Sequence, residues 1–413
     1  MMKQPILFLS ILFLTGISLL ASCSKDNNLE HYTYYKPVFK SKAEVRANIK
    51  SGPVRNVVEA GKIFIRDNYL FLVDVNRGVH VVDVTNVDQP RKVAFILIPG
   101  CADIAVRGNF LYADCDKDLV TIDISNPTSA SLKKVIPNIF PEKFYYNYYN
   151  GYSADTTKMV ADWIRVDTAY VKNINPQPNV LYAASSPSNA ATTTNGTGGS
   201  MSRFGLLNDR MYAVSNYDLK VFNMADASNP VFVKNTILNQ GSIETIFPYG
   251  NNLFIGSQSG MFIYDTANPD NPVKLSQFTH ARSCDPVIAD NNTAYVTLHA
   301  GTTCGGYSNQ LDVLDITSLT NPVFIKTYAL TSPRGLSKDK NLLLICDGTA
   351  GLKIFDAANA SDIWLIKQLP NMDAQDVITY KGTAIVTTTK GLYFVDYRDP
   401  VNAKVTGVIP VSK

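Results

Sequence analysis

The sequence predicts an all-β chain: a seven-bladed β-propeller of four-stranded antiparallel blades, with a loop insertion between blades 2 and 3. Two observations carry this. The first is a closing pattern of apolar residues, an aspartate or asparagine and a turn, which recurs at Asp83, Asp123, Asn223, Asp265, Asp315, Asp356 and Asp396. Successive copies lie about 40, 100, 42, 50, 41 and 40 residues apart, and the long gap equals one period plus an insertion of about 60. Repeats of this length, each holding several short strands, are the mark of a propeller. The second observation is the plan inside each copy. In the second copy an alternating run, CADIAV at 101–106, is followed by a turn at 107–109 and then by FLYADC, DLVTID and SLKKVI. These read as four short antiparallel strands. The aspartate ending the third strand can accept hydrogen bonds from backbone N–H groups of the next turn, while a following proline stops the ladder. A single blade cannot bury its apolar faces alone, so the blades must stack and the ring must close.

From the N-terminus, residues 1–22 read as an export signal: Lys3, an apolar stretch from Pro5 to Leu20, and a small-residue end. A membrane span is the competing reading of that stretch, but its terminal position and small residues fit a cleaved peptide. Leu20-Ala21-Ser22-Cys23 resembles the bacterial lipobox, in which the cysteine is lipidated and becomes the first residue of the mature chain. The resemblance implies a palmitate-bearing Cys23, the lipid bilayer as a partner, and an outer-membrane lipoprotein facing the periplasm or the cell surface. Residues 23–55 are then the lipidated N-terminus and a polar, poorly periodic tether. Residues 56–413 form the ring, interrupted by the insertion at about 137–202.

Charged residues make up 18% of the chain and the formal net charge is +3, which leaves no electrostatic footprint for nucleic acid. Beyond Cys23 the cysteines are Cys101, Cys115, Cys284, Cys304 and Cys346. In the blade plan Cys101 starts the first strand and Cys115 ends the second, and Cys284 and Cys304 hold equivalent places in the fifth repeat. Two disulfides are therefore expected in an oxidising compartment, with Cys346 left as a buried thiol. No Cys-x-x-Cys or His-x-x-x-His spacing points to zinc.

Aligning the repeats places Lys62, Asp103, Arg203, Glu244, Asp285, Arg334 and Asp376 at, or one residue from, the start of the innermost strand. Those ends ring one mouth of a propeller channel, so these groups should converge on one funnel. Such a funnel could hold a zwitterionic or sugar ligand, or a calcium ion as the one cofactor its carboxylates suit; no other cofactor is expected. Equally, it could be a ring of ion pairs that keeps the inner strands in register. The string His280-Ala281-Arg282-Ser283-Cys284-Asp285 invites a nucleophilic reading, but a Cys284–Cys304 disulfide would remove the thiol, leaving His280 to line the mouth beside His299. The insertion is the other candidate surface, through Tyr145, Tyr146, Tyr148, Tyr149 and Trp163, since aromatic rings with polar tips suit glycan and peptide surfaces. Those rings could instead pack the insertion onto the ring, and the run from Ser188 to Ser200 reads as a disordered tip.

The motifs IETIFPY at 243–249, GMFIYD at 260–265, HARSCDPV at 280–287, AYVTL at 294–298 and DGTAGLK at 347–353 resemble the LVIVD-repeat proteins, in particular lipoproteins of Bacteroidetes-type bacteria. The resemblance covers about residues 56–413. It implies a propeller on an envelope lipoprotein and brings no established catalytic activity. Two functions stay open. One is a non-enzymatic binding or scaffold module for a glycan, peptide or envelope protein, using the channel mouth and the insertion. The other is an extracellular hydrolase or lyase with Asp103, Glu244, Asp285 and Asp376 as acid, base or metal ligands. No glycine-rich phosphate loop or nucleophile elbow marks an enzyme.

Overall fold

The computed structural model describes residues 29–141, 157–171, 197–238, 242–279, 286–300 and 308–412. The chain divides into two compact units. The described part of the smaller one is residues 29–36 and 163–171, which are extended strand. They belong to a two-stranded sheet of Leu29–Ser41 and Lys158–Val171.

The larger unit is the propeller, with seven sheets that each contain four antiparallel strands from one stretch of chain. The innermost strands are Ala60–Arg66, Ile104–Arg107, Phe204–Leu207, Ile243–Tyr249, Val287–Asp290, Leu336–Asp339 and Ala374–Tyr380. Six apolar clusters fill the spaces between neighbouring blades. One of them packs Ile63, Ile65, Leu70 and Leu72 of the first blade against Ile378, Ile385, Leu392 and Phe394 of the last. The ring is thus closed by packing, and among the described residues no strand is exchanged between the ends. A single parallel bridge, Val57 to Val411, and the Tyr380 hydroxyl donating to the Asp67 carbonyl reinforce the seam. Both faces of the middle strands are covered, which is why they read as continuous apolar runs; fully burying such a Leu, Val or Phe contributes roughly 1.5–3 kcal/mol.

Local chemistry repeats with the blades. The carboxylate or amide oxygen closing each third strand accepts a backbone N–H two residues on, from Thr85, Ser125, Ala225, Ala267, Thr317, Ala358 and Arg398, at 2.8–3.0 Å. The turn joining first and second strands opens at positive φ in every blade, at Asp67, Gly108, Asn208, Gly250, Asn291, Lys340 and Lys381. Two-residue hairpins need that conformation because it matches the twist of the strands. Neighbouring blades are pinned by phenols: Tyr112 donates to the Ala227 carbonyl at 2.7 Å and Tyr212 to that of Pro269 at 2.9 Å.

Three expectations change. Cys101 and Cys115 are buried, and no disulfide joins them among the described residues. The pairing Ile104↔Ala113, extended outward, sets Cys115 opposite Ala102, and a one-residue offset puts the two side chains on opposite faces of the sheet. Cys284 and Cys304 lie outside the described residues, while Cys346 is a buried free thiol as expected. The tether is partly structured. Lys42–Ala47 is a helix opened by a Ser41–Glu44 capping box, Val45 and Ile49 are buried, and Ser51–Gly52 adds an outer strand to blade 1. Finally, the last residues of the low-complexity run are ordered: Thr197–Gly198 is a strand paired with Phe64–Ile65.

Candidate functional site

Where each blade begins, an aspartate at the end of its second strand can hold the entering chain. Asp74 accepts the Val58 and Glu59 N–H groups, Asp114 those of Ala102 and Asp103, and Asp347 those of Thr331 and Ser332. In the first blade Asp74 also meets the fully buried His80, Nε2 to Oδ2 3.1 Å. The inner strands of blades 1, 4 and 7 then break register at Gly61–Lys62, Glu244 and Gln375. Such bulges re-aim side chains at the start of a strand.

These devices gather most of the expected mouth residues. Lys62, Asp103, Glu244 and Asp376 are buried, and Arg203 and Arg334 are half-buried. Burial pushes the Asp376 carboxyl up to about 7, with Lys62 opposing and Asp103 adding to the rise. Burial likewise pulls the Lys62 ammonium down to about 7 against the attraction of Asp103 and Asp376. Asp103 is raised by burial, opposed chiefly by Lys62, and Arg203 is lowered by burial against Asp103 and Glu244. These mutual influences place Lys62, Asp103, Arg203, Glu244 and Asp376 in one electrostatic cluster. Arg334 belongs to a second group. Its Nη1 donates to Gln375 Oε1 at 2.8 Å, and with burial as the larger cause it depresses His299. His299 Nδ1 lies 3.4 Å from Ser332 Oγ, and Asp347 beneath pairs with Lys353 at 2.6 Å. Asp285, His280, Tyr145, Tyr146, Tyr148 and Tyr149 lie outside the described residues, as does Cys23; Trp163 is half-buried.

Sequence reasoning missed what fills the channel. Residues 197–203 pass across it on their way to blade 3 and touch the inner strands of other blades in turn. Gly199 N–H donates to the Ile63 carbonyl of blade 1 at 3.4 Å, and Leu336 N–H of blade 6 donates to Ser200 Oγ. Ile246 N–H of blade 4 donates to the Ser202 carbonyl at 2.9 Å. Ser202 Oγ and Arg203 N–H both donate to the Asp103 carboxylate of blade 2. Against blade 7 the fit is closest: a Cβ on Gly199 would stand 2.2 Å from Asp376 Oδ2, and one on Gly335 2.2 Å from Oδ1. Only glycine passes on either side of that carboxylate. Asp376 Oδ1 accepts the Val377 N–H at 2.9 Å, while Oδ2 has no partner among the described residues. The cluster is therefore covered by the chain itself. The paired glycines at 198 and 199 were a visible signal for close backbone approach.

The side of this arrangement that stays half-exposed is a rim of donors and acceptors. Arg203 Nη2 donates to Asn216 Oδ1 at 3.1 Å and Gln258 Nε2 to Glu244 Oε1 at 3.1 Å. The Nε atoms of Arg203 and Arg334 are buried beneath this rim and have no partner among the described residues.

A model of the LVIVD repeat matches residues 59–93 and 100–136, so blades 1 and 2 carry LVIVD repeats. No curated protein matches the chain. Among solved structures, a putative 6-phosphogluconolactonase from Bacteroides fragilis is similar over 87% of this chain and 96% of its own, at 10% identity and a TM-score of 0.53. The periplasmic gluconolactonase of Pseudomonas aeruginosa is similar over 85% of this chain and 98% of its own, at 12% identity and a TM-score of 0.52. A protein from Lactobacillus plantarum gives 85%, 97%, 12% and 0.52 for the same quantities. At such identities the likeness is one of fold alone.

Proposed function

We propose that this LVIVD-repeat β-propeller is a non-enzymatic binding or scaffold module of the cell envelope, held to the outer membrane through an acylated Cys23. Its ligand class is a glycan, peptide or envelope protein that offers acceptor oxygens to the rim around Arg203 and Arg334. One observation carries the reading: both guanidiniums are half-buried and each is held by one amide, Arg203 by Asn216 Oδ1 and Arg334 by Gln375 Oε1. An arginine held in this way is prepared for a carboxylate or a sugar hydroxyl at little further loss of side-chain freedom. Asp103 and Asp376, two of the carboxylates an enzyme would use, lie against residues 199–203, which supports binding at the rim over chemistry in the channel. The tyrosines of the insertion are the second contact surface in this proposal.

The test is binding of the purified protein to a panel of acidic and neutral glycans, peptides and envelope proteins. For the ligand it selects, Arg334→Ala should weaken binding at least tenfold, and Tyr145→Ala with Tyr148→Ala should weaken it further. A panel without a ligand, or substitutions that leave affinity unchanged, would sink the reading. Anchoring is tested separately: Cys23→Ala should abolish fatty-acid labelling and release the protein from membranes.

A second reading, a hydrolase or lyase for a sugar or lactone, is favoured by the Asp376 carboxyl, whose rise to about 7 suits a general acid or base near neutrality. Two of the similar folds are described as gluconolactonases. It requires turnover of a sugar lactone that is lost in Asp376→Asn and in Glu244→Gln.

A further inference from the structure

At the end of the inner strands remote from the mouth, a long side chain bridges the interfaces between neighbouring blades. At several of them it is the residue just before the first hairpin turn, which reaches the hairpin of the next blade. Arg66 donates to Asn109 Oδ1 at 3.0 Å and Arg107 to the Asn208 carbonyl at 2.7 Å, the Tyr249 hydroxyl accepts the Asn291 N–H at 2.6 Å, and Tyr380 donates to the Asp67 carbonyl. From blade 7, Tyr397 reaches back to Asp339 Oδ2 at 2.8 Å, and between blades 3 and 4 Arg210 pairs with Asp270 at 2.6 Å.

The interface between blades 5 and 6 lacks such a bridge. Its residue before the turn is Asp290, which is short and meets Lys338 of the next inner strand instead of the hairpin beyond. Tyr295 holds the place of Tyr112 and Tyr212, yet it makes no hydrogen bond to blade 6 among the described residues; the Ala360 carbonyl equivalent to their acceptors lies 3.4 Å from the Tyr328 hydroxyl. One further residue is small. After the closing aspartate or asparagine the other blades carry Val84, Ile124, Met224, Thr266, Ile316 and Tyr397, whereas blade 6 carries Ala357. A cavity of about 400 Å³ results, lined by Asp290, Thr293, Tyr295, Lys338, Asn341 and Ala357 among others. The corresponding gap between blades 1 and 2 is about 120 Å³, room for a few waters only. The larger one is within the size range of small-molecule sites.

Its lining selects a chemistry. Lys338 Nζ donates to Asp290 Oδ2 at 2.8 Å and to the Lys340 carbonyl, which commits two of its three N–H groups and fixes its position. Asp290 also accepts from Asn291 Nδ2 at 3.2 Å and keeps further lone pairs. A hydroxyl can accept from Lys338 and donate to Asp290 at once, so the ion pair stays intact. An anion would set its charge against Asp290, and an ammonium against Lys338. Lys340 lies at the exposed opening, where water and salt screen it. Donors and acceptors side by side, in a neutralised pair beside the Tyr295 phenol, suit vicinal hydroxyls.

We propose that the cavity between blades 5 and 6 is a binding site for a neutral pyranose sugar, held through adjacent hydroxyls by Asp290 and Lys338. The site lies at the opposite ends of the inner strands from the rim and does not rest on the rim's role.

The test is binding of the purified protein to the methyl pyranosides of glucose, galactose and mannose and to N-acetylglucosamine, read by saturation-transfer magnetic resonance and calorimetry, with inorganic phosphate as the anionic probe. At least one sugar should bind, and phosphate should not displace it. Ala357→Ile gives blade 6 the residue that blades 2 and 5 carry and fills the cavity without removing a polar group, so it should weaken that sugar at least tenfold. Lys338→Met should weaken it about tenfold by removing a charged donor, and decides the matter alone if Ala357→Ile does not fold. Arg334→Ala should leave this affinity unchanged, which separates the cavity from the rim. A panel in which no sugar binds would overturn the proposal. So would displacement of the sugar by phosphate, or cavity variants with native near-ultraviolet circular dichroism that bind the sugar as the wild type does.

Discussion

Asp376 and Lys62 give the clearest consequence at the scale of single residues. An unfolded carboxyl titrates near 3.9, whereas Asp376 in the ring titrates at about 7. Between those values the folded chain holds a proton that the unfolded chain has lost, so this group makes stability fall as pH rises from about 4 to about 7. Lys62 is shifted down to about 7 from an ordinary value near 10.4. From about 7 upward the unfolded chain binds the extra proton, and stability recovers. Thermal melts from pH 4 to 10 should therefore show the difference between wild type and the double variant Lys62→Met, Asp376→Asn to be greatest near pH 7, with the wild type the less stable. A difference that does not vary with pH would contradict the burial of this pair. These positions were legible because repeats aligned on a strand place equivalent residues at equivalent depths. The company they keep was not, because Gly199 reaches Asp376 from 177 residues away in sequence, and no local pattern encodes that contact.

Elements were legible where a local chemical rule fixes them. The aspartates closing the third strands can be read from sequence, and every one accepts the backbone N–H two residues on. At Asp396 the Arg398 side chain adds to this and holds the carboxyl down to about 2. A depressed carboxyl contributes stability above its unfolded value near 4 that is lost as pH falls through about 2. Asp396→Ala should accordingly lower the melting temperature at pH 7, with the deficit shrinking below about pH 4; a deficit equal at pH 7 and pH 2 would tell against the turn hydrogen bonds. Lys340 opens its hairpin at φ 53°, where asparagine is better suited, so Lys340→Asn should stabilise by about 0.5 kcal/mol in a denaturant titration. Tyr112→Phe should cost about 1 kcal/mol by removing its bond to Ala227 across the blade interface. The cysteines show where element reading fails: the strands of blade 2 were placed, but the register was off by one, and one residue is enough to part Cys101 from Cys115. The Ser41–Glu44 capping box ahead of Val45 and Ile49 was the overlooked sign that the tether ends earlier than its polar composition suggests.

For the whole molecule, stacking is what makes the other scales coherent. Each blade hides its apolar faces only against its neighbours, and closure brings the starts of the inner strands together around one channel. The number of blades and their order followed from the period of the repeat. The manner of closure did not, because packing between the first and last blades rests on apolar residues that look the same as those at every other interface. The seam itself is specific: Lys381 of the last blade donates to Asn68 of the first at 3.2 Å.

The most direct measurement is the distance between spin labels at Asn68→Cys and Lys381→Cys, read by pulsed electron resonance in the monomer. A closed ring predicts one short, narrow distance between sites more than three hundred residues apart. A separation of roughly 60 Å, as for seven sheets stacked in an open row at about 10 Å spacing, would contradict it.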